Sequence, residues 1–123
     1  MNVSEQNLFP WQGEEGQLAV DVLETPESII IRSAIAGVKP ENLDVHVTTD
    51  IVTIRGERAQ SAARIDQTIH FQECFWGTFS RSIVLPAHVI PEEADASVKN
   101  GVLTLTVPKI AGEAHVPIRE DIS

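Results

Sequence analysis

The sequence predicts an all-β protein: an immunoglobulin-like, antiparallel-rich β-sandwich of about eight short strands. Three observations carry that expectation. Apolar residues alternate with polar ones in short runs from Leu18 to Val107, the period-two signature of half-buried strands. Pro, Gly and Asp turns separate the runs, and no segment holds a convincing helical stripe. Hydrophobic residues make up 42% of the 123, but aromatics only 5% with no Tyr, so the apolar content is aliphatic and its β-branched share suits strands. A chain of this length has room for one domain and buries about two-thirds of the surface its unfolded form exposes.

Residues 1 to 16 read as a short polar arm with one apolar cluster at Leu8, Phe9 and Trp11. The first strand starts at Leu18, with Leu18, Val20 and Val22 on one face, and Glu24-Thr25-Pro26-Glu27 turns the chain. Ile29, Ile31, Ser33 and Ile35 then alternate with Ile30, Arg32 and Ala34 until Gly37 and Pro40 break the run. Leu43, Val45 and Val47 alternate with Asp44, His46 and Thr48, and the short break at Thr49-Asp50 makes a hairpin with the strand from Ile51 to Arg55. The polar, Ala-rich stretch from 56 to 67 reads as a long loop, a length that small domains reserve for function.

Thr68 to Phe71 follows as a brief strand, and a longer one from Phe75 to Leu85 sets Phe75, Phe79, Ile83 and Leu85 on one face. Pro86 and Pro91 bracket a turn, after which Ala94, Ala96 and Val98 alternate. Asn100-Gly101 predicts a type I′ turn, whose two central positions both need positive φ. In the last strand Leu103, Leu105 and Val107 face the core, Thr104 and Thr106 tolerate water, and Pro108 ends the ladder by withholding a donor.

Composition narrows the function. Eighteen acids against nine bases give a net charge of −9, which argues against nucleic acid or an anionic membrane as partner, since phosphate binding needs clustered Lys and Arg. The lone Cys74 leaves no intrachain disulfide and fits a reducing compartment; it reads as a half-buried thiol at the start of a strand. Met1 to Trp11 shows neither a basic n-region nor an apolar run, so no signal peptide is expected, and no apolar stretch approaches the roughly 20 residues that span a bilayer. A cytoplasmic location is the resulting expectation. No cofactor is expected either: Gly13, Gly16, Gly37 and Gly56 lack the phosphate-loop pattern, and His46, His70, His88 and His115 lack a paired spacing for zinc. No nucleophile–base pair or carboxylate dyad points to an enzyme.

Four ordered stretches go further. Ala36-Gly37-Val38-Lys39-Pro40-Glu41-Asn42-Leu43 is similar to a P-G-(V/F)-x-x-(E/D)-(E/D)-(I/L) element, with Ala36 where Pro is common. Val52-Thr53-Ile54-Arg55-Gly56-Glu57-Arg58 follows an L-x-I-x-G-x-(R/K) pattern, and Gly77-Thr78-Phe79-Ser80-Arg81-Ser82-Ile83-Val84-Leu85-Pro86 a G-x-F-x-R-x-(apolar)-x-L-P pattern. Ala96 to Val107 contains the A-x-(x)-x-N-G-V-L signature as Asn100-Gly101-Val102-Leu103. In this order and spacing, over residues 18 to 109, the chain resembles the small heat shock protein family of the bacterial and plant type.

The resemblance implies an α-crystallin domain over residues 17–109, an arm before it and a tail over 110–123. It implies an ATP-independent chaperone, a holdase that binds unfolding proteins through exposed apolar surface. In the tail, Val116-Pro117-Ile118 resembles the family's I-x-I/V anchor: residues at i and i+2 share one side of an extended chain, and Pro117 keeps it extended. By resemblance the anchor docks on a neighbouring subunit, by β-augmentation, in a groove lined by Leu43, Val45, Val47, Ala94, Ala96 and Val98. The loop over about 58–71 would carry a strand, Thr68-Ile69-His70-Phe71, exchanged with a partner to build a two-fold homodimer. Larger homo-oligomers would form through the tail. Arg81 stands where the family has an interface arginine and is expected to pair with a carboxylate, because an unpaired buried guanidinium is costly. Leu8, Phe9 and Trp11 would bind clients. The competing reading is a co-chaperone-type sandwich adaptor that binds one folded partner, which a monomer in solution would favour.

Overall fold

The computed structural model of the chain describes residues 16–60, 66–111 and 116–121. Eight strands follow in order: β1 (Gly16–Gln17), β2 (Asp21–Glu24), β3 (Ser28–Ala34), β4 (Leu43–Val47), β5 (Ile51–Arg58), β6 (Gly77–Val84), β7 (Asp95–Lys99) and β8 (Val102–Pro108). Single 3₁₀ turns over Pro40–Asn42 and Pro91–Glu93, each opened by its proline, are the helical elements among the described residues. The strands form two four-stranded sheets, β1-β6-β5-β4 and β2-β3-β8-β7. Every named pairing is antiparallel except the two-residue contact of β1 with β6.

One core lies between the sheets. Val52, Ile54, Phe79 and Ile83 come from the first, and Ile29, Ile31, Leu103, Leu105 and Val107 from the second. The predicted alternation places them: in β3, Ile29, Ile31 and Ser33 are buried while Arg32 and Ala34 are exposed. The facing strand repeats the pattern in register, Ile29 opposite Val107 and Ile31 opposite Leu105, so inward residues meet as cross-strand pairs. Burying each such aliphatic side chain contributes about 1.5–3 kcal/mol.

The β7–β8 hairpin closes as the sequence predicts. Asn100 and Gly101 both have positive φ, 53° and 75°, and Lys99 pairs with Val102 across the turn. Gly101→Ala is expected to destabilise the domain by about 1–2 kcal/mol, the penalty of a Cβ in the left-handed region. A shift of the urea midpoint at unchanged slope measures it.

Three expected strands are corrected. The run Leu18–Val22 is not one strand. β1 lies along β6, with Gly16 opposite Phe79, and the chain then crosses to the other sheet, where β2 pairs with β3. Different partners hold the crossover: Leu18 N–H donates to Ser80 O at 3.3 Å, and the buried Ser33 hydroxyl donates to Ala19 O at 2.7 Å. Period-two alternation continues through such a change of sheet, so the pattern does not reveal it. Thr68–Phe71 is also not a strand in the single chain, and β6 begins at Gly77 rather than Phe75. A strand needs a neighbouring ladder, and this segment meets none among the described residues.

Candidate functional site

The strand order decides which surfaces stay open. Only Leu18–Val20 separate β1 from β2, so those two edge strands lie on the same side of the sandwich. The edges on the other side are β4 and β7. In β4, Val45 is opposite Ile54 and Val47 opposite Val52; in β7, Ala96 is opposite Leu105 and Val98 opposite Leu103. Directly opposed residues share a face, so these side chains point to the interior of the sandwich. At the margin the interior runs out. Leu43, Val45, Val47 and Ala94 are half-buried against the core, while Ala96 is exposed and Val98 is 37% exposed. The residues expected to line a groove therefore lie along one open side, each edge strand also presenting a row of backbone groups that has no ladder partner among the described residues.

The tail and the loop both expose apolar side chains. Val116 is 73% and Ile118 97% exposed, and residues 116–121 have no regular structure. Phe71 is 88% exposed, and a shallow cavity of about 240 Å³ beside it is lined by Ile69, Gln72, Cys74 and Trp76. Cys74 is exposed and lies three residues before β6, which corrects the half-buried, strand-start reading: the strand begins later than its composition suggests, at Gly77. On the side of β1 and β2, every residue of β2 is exposed, Val22 and Leu23 included. Leu8, Phe9 and Trp11 lie outside the described residues.

Arg81 is half-buried in β6 between Phe79 and Ile83, opposite Ile54, on the inward face. Its Nη1 donates to the carbonyl oxygen of Leu18 at 2.9 Å. Among the described residues of the single chain, its guanidinium thus meets a backbone carbonyl. The crossover supplies that acceptor because a segment changing sheets leaves carbonyls outside both ladders. Arg58 closes the Val52–Arg58 motif at the end of β5. It too donates to backbone carbonyls, from the mouth of the long loop. Its signal was present, an arginine closing a strand directly before a long loop.

No helix among the described residues is long and apolar enough to cross a membrane. Residues 21–123 match the Hsp20/alpha crystallin family. The chain belongs to that family. Its sandwich is accordingly the α-crystallin domain. Among relatives in the family, small heat shock protein C4 of Rickettsia felis is 35% identical over 89 residues, 72% of this chain and 55% of that protein. The 17.7 kDa class I heat shock protein of rice (Oryza sativa subsp. japonica) is 38% identical over 111 residues, 86% of this chain and 70% of that protein. The chain spans a little over half the length of its Rickettsia C4 relative. Solved family structures agree in fold. Heat shock protein 16.0 from Schizosaccharomyces pombe superposes with a TM-score of 0.73 at 28% identity, covering 89% of this chain and 100% of that one. A small heat-shock protein from Xylella fastidiosa, whose crystal structure reveals a distinct high order structure, gives 0.67 at 27% identity, covering 86% and 95%.

Proposed function

We propose that this protein is an ATP-independent holdase that binds unfolding proteins in the cytoplasm and prevents their aggregation. It works as a homodimer built by exchange of Thr68–Phe71, and the tail joins dimers into larger homo-oligomers. The observation that carries this reading is the open side at β4 and β7, whose inward residues are left half-covered while an apolar tripeptide stands exposed in the tail. Val116 and Ile118 seated on a neighbour's groove would each contribute about 1.5–3 kcal/mol before ordering costs. A single anchor is then weak and exchangeable, and several acting together hold an assembly. The same open edges accept extended segments of a client, with Leu8, Phe9 and Trp11 of the arm (residues 1–16) adding apolar contacts.

The dimer reading rests on complementary deficits. Among the described residues, β2 ends its sheet with Val22 and Leu23 exposed, and Thr68–Phe71 has no ladder. A partner's segment added along β2 satisfies both. Arg81 uses one of its five N–H donors on Leu18, and in the dimer a carboxylate of the partner subunit takes others. The domain over residues 17–109 carries the fold, and the arm and the tail over 110–123 carry assembly.

Light scattering of a heat-denaturing enzyme tests the activity. The expected result is suppression at near-stoichiometric ratio without ATP. Scattering unchanged at every ratio sinks the holdase reading.

A further inference from the structure

Arg58 ends β5 at the mouth of the long loop, and its last ladder partner is Gly77. From there its side chain reaches three separate parts of the molecule. Nε donates to the carbonyl oxygen of Ala36 at 2.8 Å, and Nη1 to that of Phe75 at 3.4 Å. The guanidinium also lies over the Phe79 ring, 5.8 Å from its centroid, within range of a cation–π attraction.

Each contact has a place in the architecture. Ala36 belongs to the turn closed by Val38 N–H on Ile35 O at 3.0 Å, which needs Gly37 at φ 84°. The stem of Arg58 packs on that turn, since a Cβ on Gly37 would sit 3.6 Å from its Cγ and Cδ. Phe79 is a core residue of β6. Phe75 is where the loop returns to the sandwich, its ring packed so closely on β1 that a Cβ on Gly16 would lie 2.9 Å from Cζ. The backbone of Arg58 is thus one end of the loop, and its guanidinium holds the other.

We propose that Arg58 is the positioning residue of the exchange loop: by holding Phe75 to the Ala36 turn it fixes where Thr68–Phe71 leaves the sandwich. This rests on the proposed exchange dimer. A loop whose ends are pinned samples fewer conformers, so less freedom is lost when its middle docks on a partner. The planar fork of arginine serves two carbonyls in different directions, whereas lysine offers a single point of charge.

The test uses the full chain with Arg58→Lys, Arg58→Gln, and a control in which Thr68–Phe71 is replaced by a Gly-Ser tetrapeptide. Sedimentation across a dilution series reads the dimer dissociation constant, and thermal unfolding reads the Tm. Both Arg58 variants are expected to raise the dissociation constant about tenfold, from the added freedom a loosened loop loses on docking, with Tm near that of the parent. An unchanged dissociation constant, or one that rises only in step with a falling Tm, overturns the proposal. A Gly-Ser control that stays dimeric overturns the exchange reading and this proposal with it. A monomeric control beside unaffected Arg58 variants overturns the role of Arg58 alone.

Discussion

Replacing Val116 and Ile118 together by Ala, or ending the chain after Ala114, is expected to abolish every species larger than a dimer while the dimer persists. The reasoning is additive burial. Two branched side chains that stand 73% and 97% exposed in the single chain lose about 3–6 kcal/mol of gross burial per anchor when truncated. At about 1.4 kcal/mol per tenfold, that weakens each link by two to four orders of magnitude. Native mass spectrometry beside light scattering gives the answer. Large oligomers of unchanged size in both variants would show that the tail does not link subunits. Loss of the dimer as well would place the tail in the two-fold interface.

Ile31→Ala is expected to destabilise the fold by about 2–5 kcal/mol, the range for removing a branched core side chain and leaving a cavity. Ile31 is fully buried in β3, with Val22 and Leu105 opposite it on its two neighbouring strands, so little can collapse into the space. Small domains hold only about 5–15 kcal/mol in total, and the melting temperature should fall by roughly 10 °C or more. Val98→Ala is the contrast. Val98 shares the inward face, but β7 is an edge strand and the residue is 37% exposed, so the expected loss is below about 1 kcal/mol. A Val98→Ala chain with near-parental Tm and weakened larger assemblies separates the groove from the core. Equal losses of Tm in the two variants would show that β7 is packed as an interior strand.

The two predictions also divide what the sequence made readable from what it did not. β3 and β8 were legible residue by residue because a strand buried on one face writes its burial as strict alternation, and Asn100-Gly101 was legible because few residues accept positive φ. The crossover after Gln17 was not: Leu18, Val20 and Val22 keep their period while the chain changes partner, and pairing is a long-range property. Thr68–Phe71 has strand composition without a strand, since composition reports what a segment tolerates and the ladder must come from elsewhere. The charge on Arg81 called for an acceptor, but a sequence names carboxylates by letter and carbonyls not at all, so Leu18 O was invisible. The same blindness hid Arg58, whose partners are the carbonyls of Ala36 and Phe75. Of the open side, the residue types were readable; that β4 and β7 share it follows only from the strand order.

That strand order has one more consequence. The strands that end the sheets are the shortest: β1 has two residues, β2 four, and β4 and β7 five each. The strands inside the sheets have seven or eight. Charges sit on these margins too, at Asp21, Glu24, Asp44, Asp95 and Lys99. A bare β-edge is the kind of template along which amyloid-type stacking spreads, and brevity and charge are what blunt it. Here each margin is short and charged, too short to seed a continuous fibril, so the open edges of the sandwich are not an invitation to self-stacking.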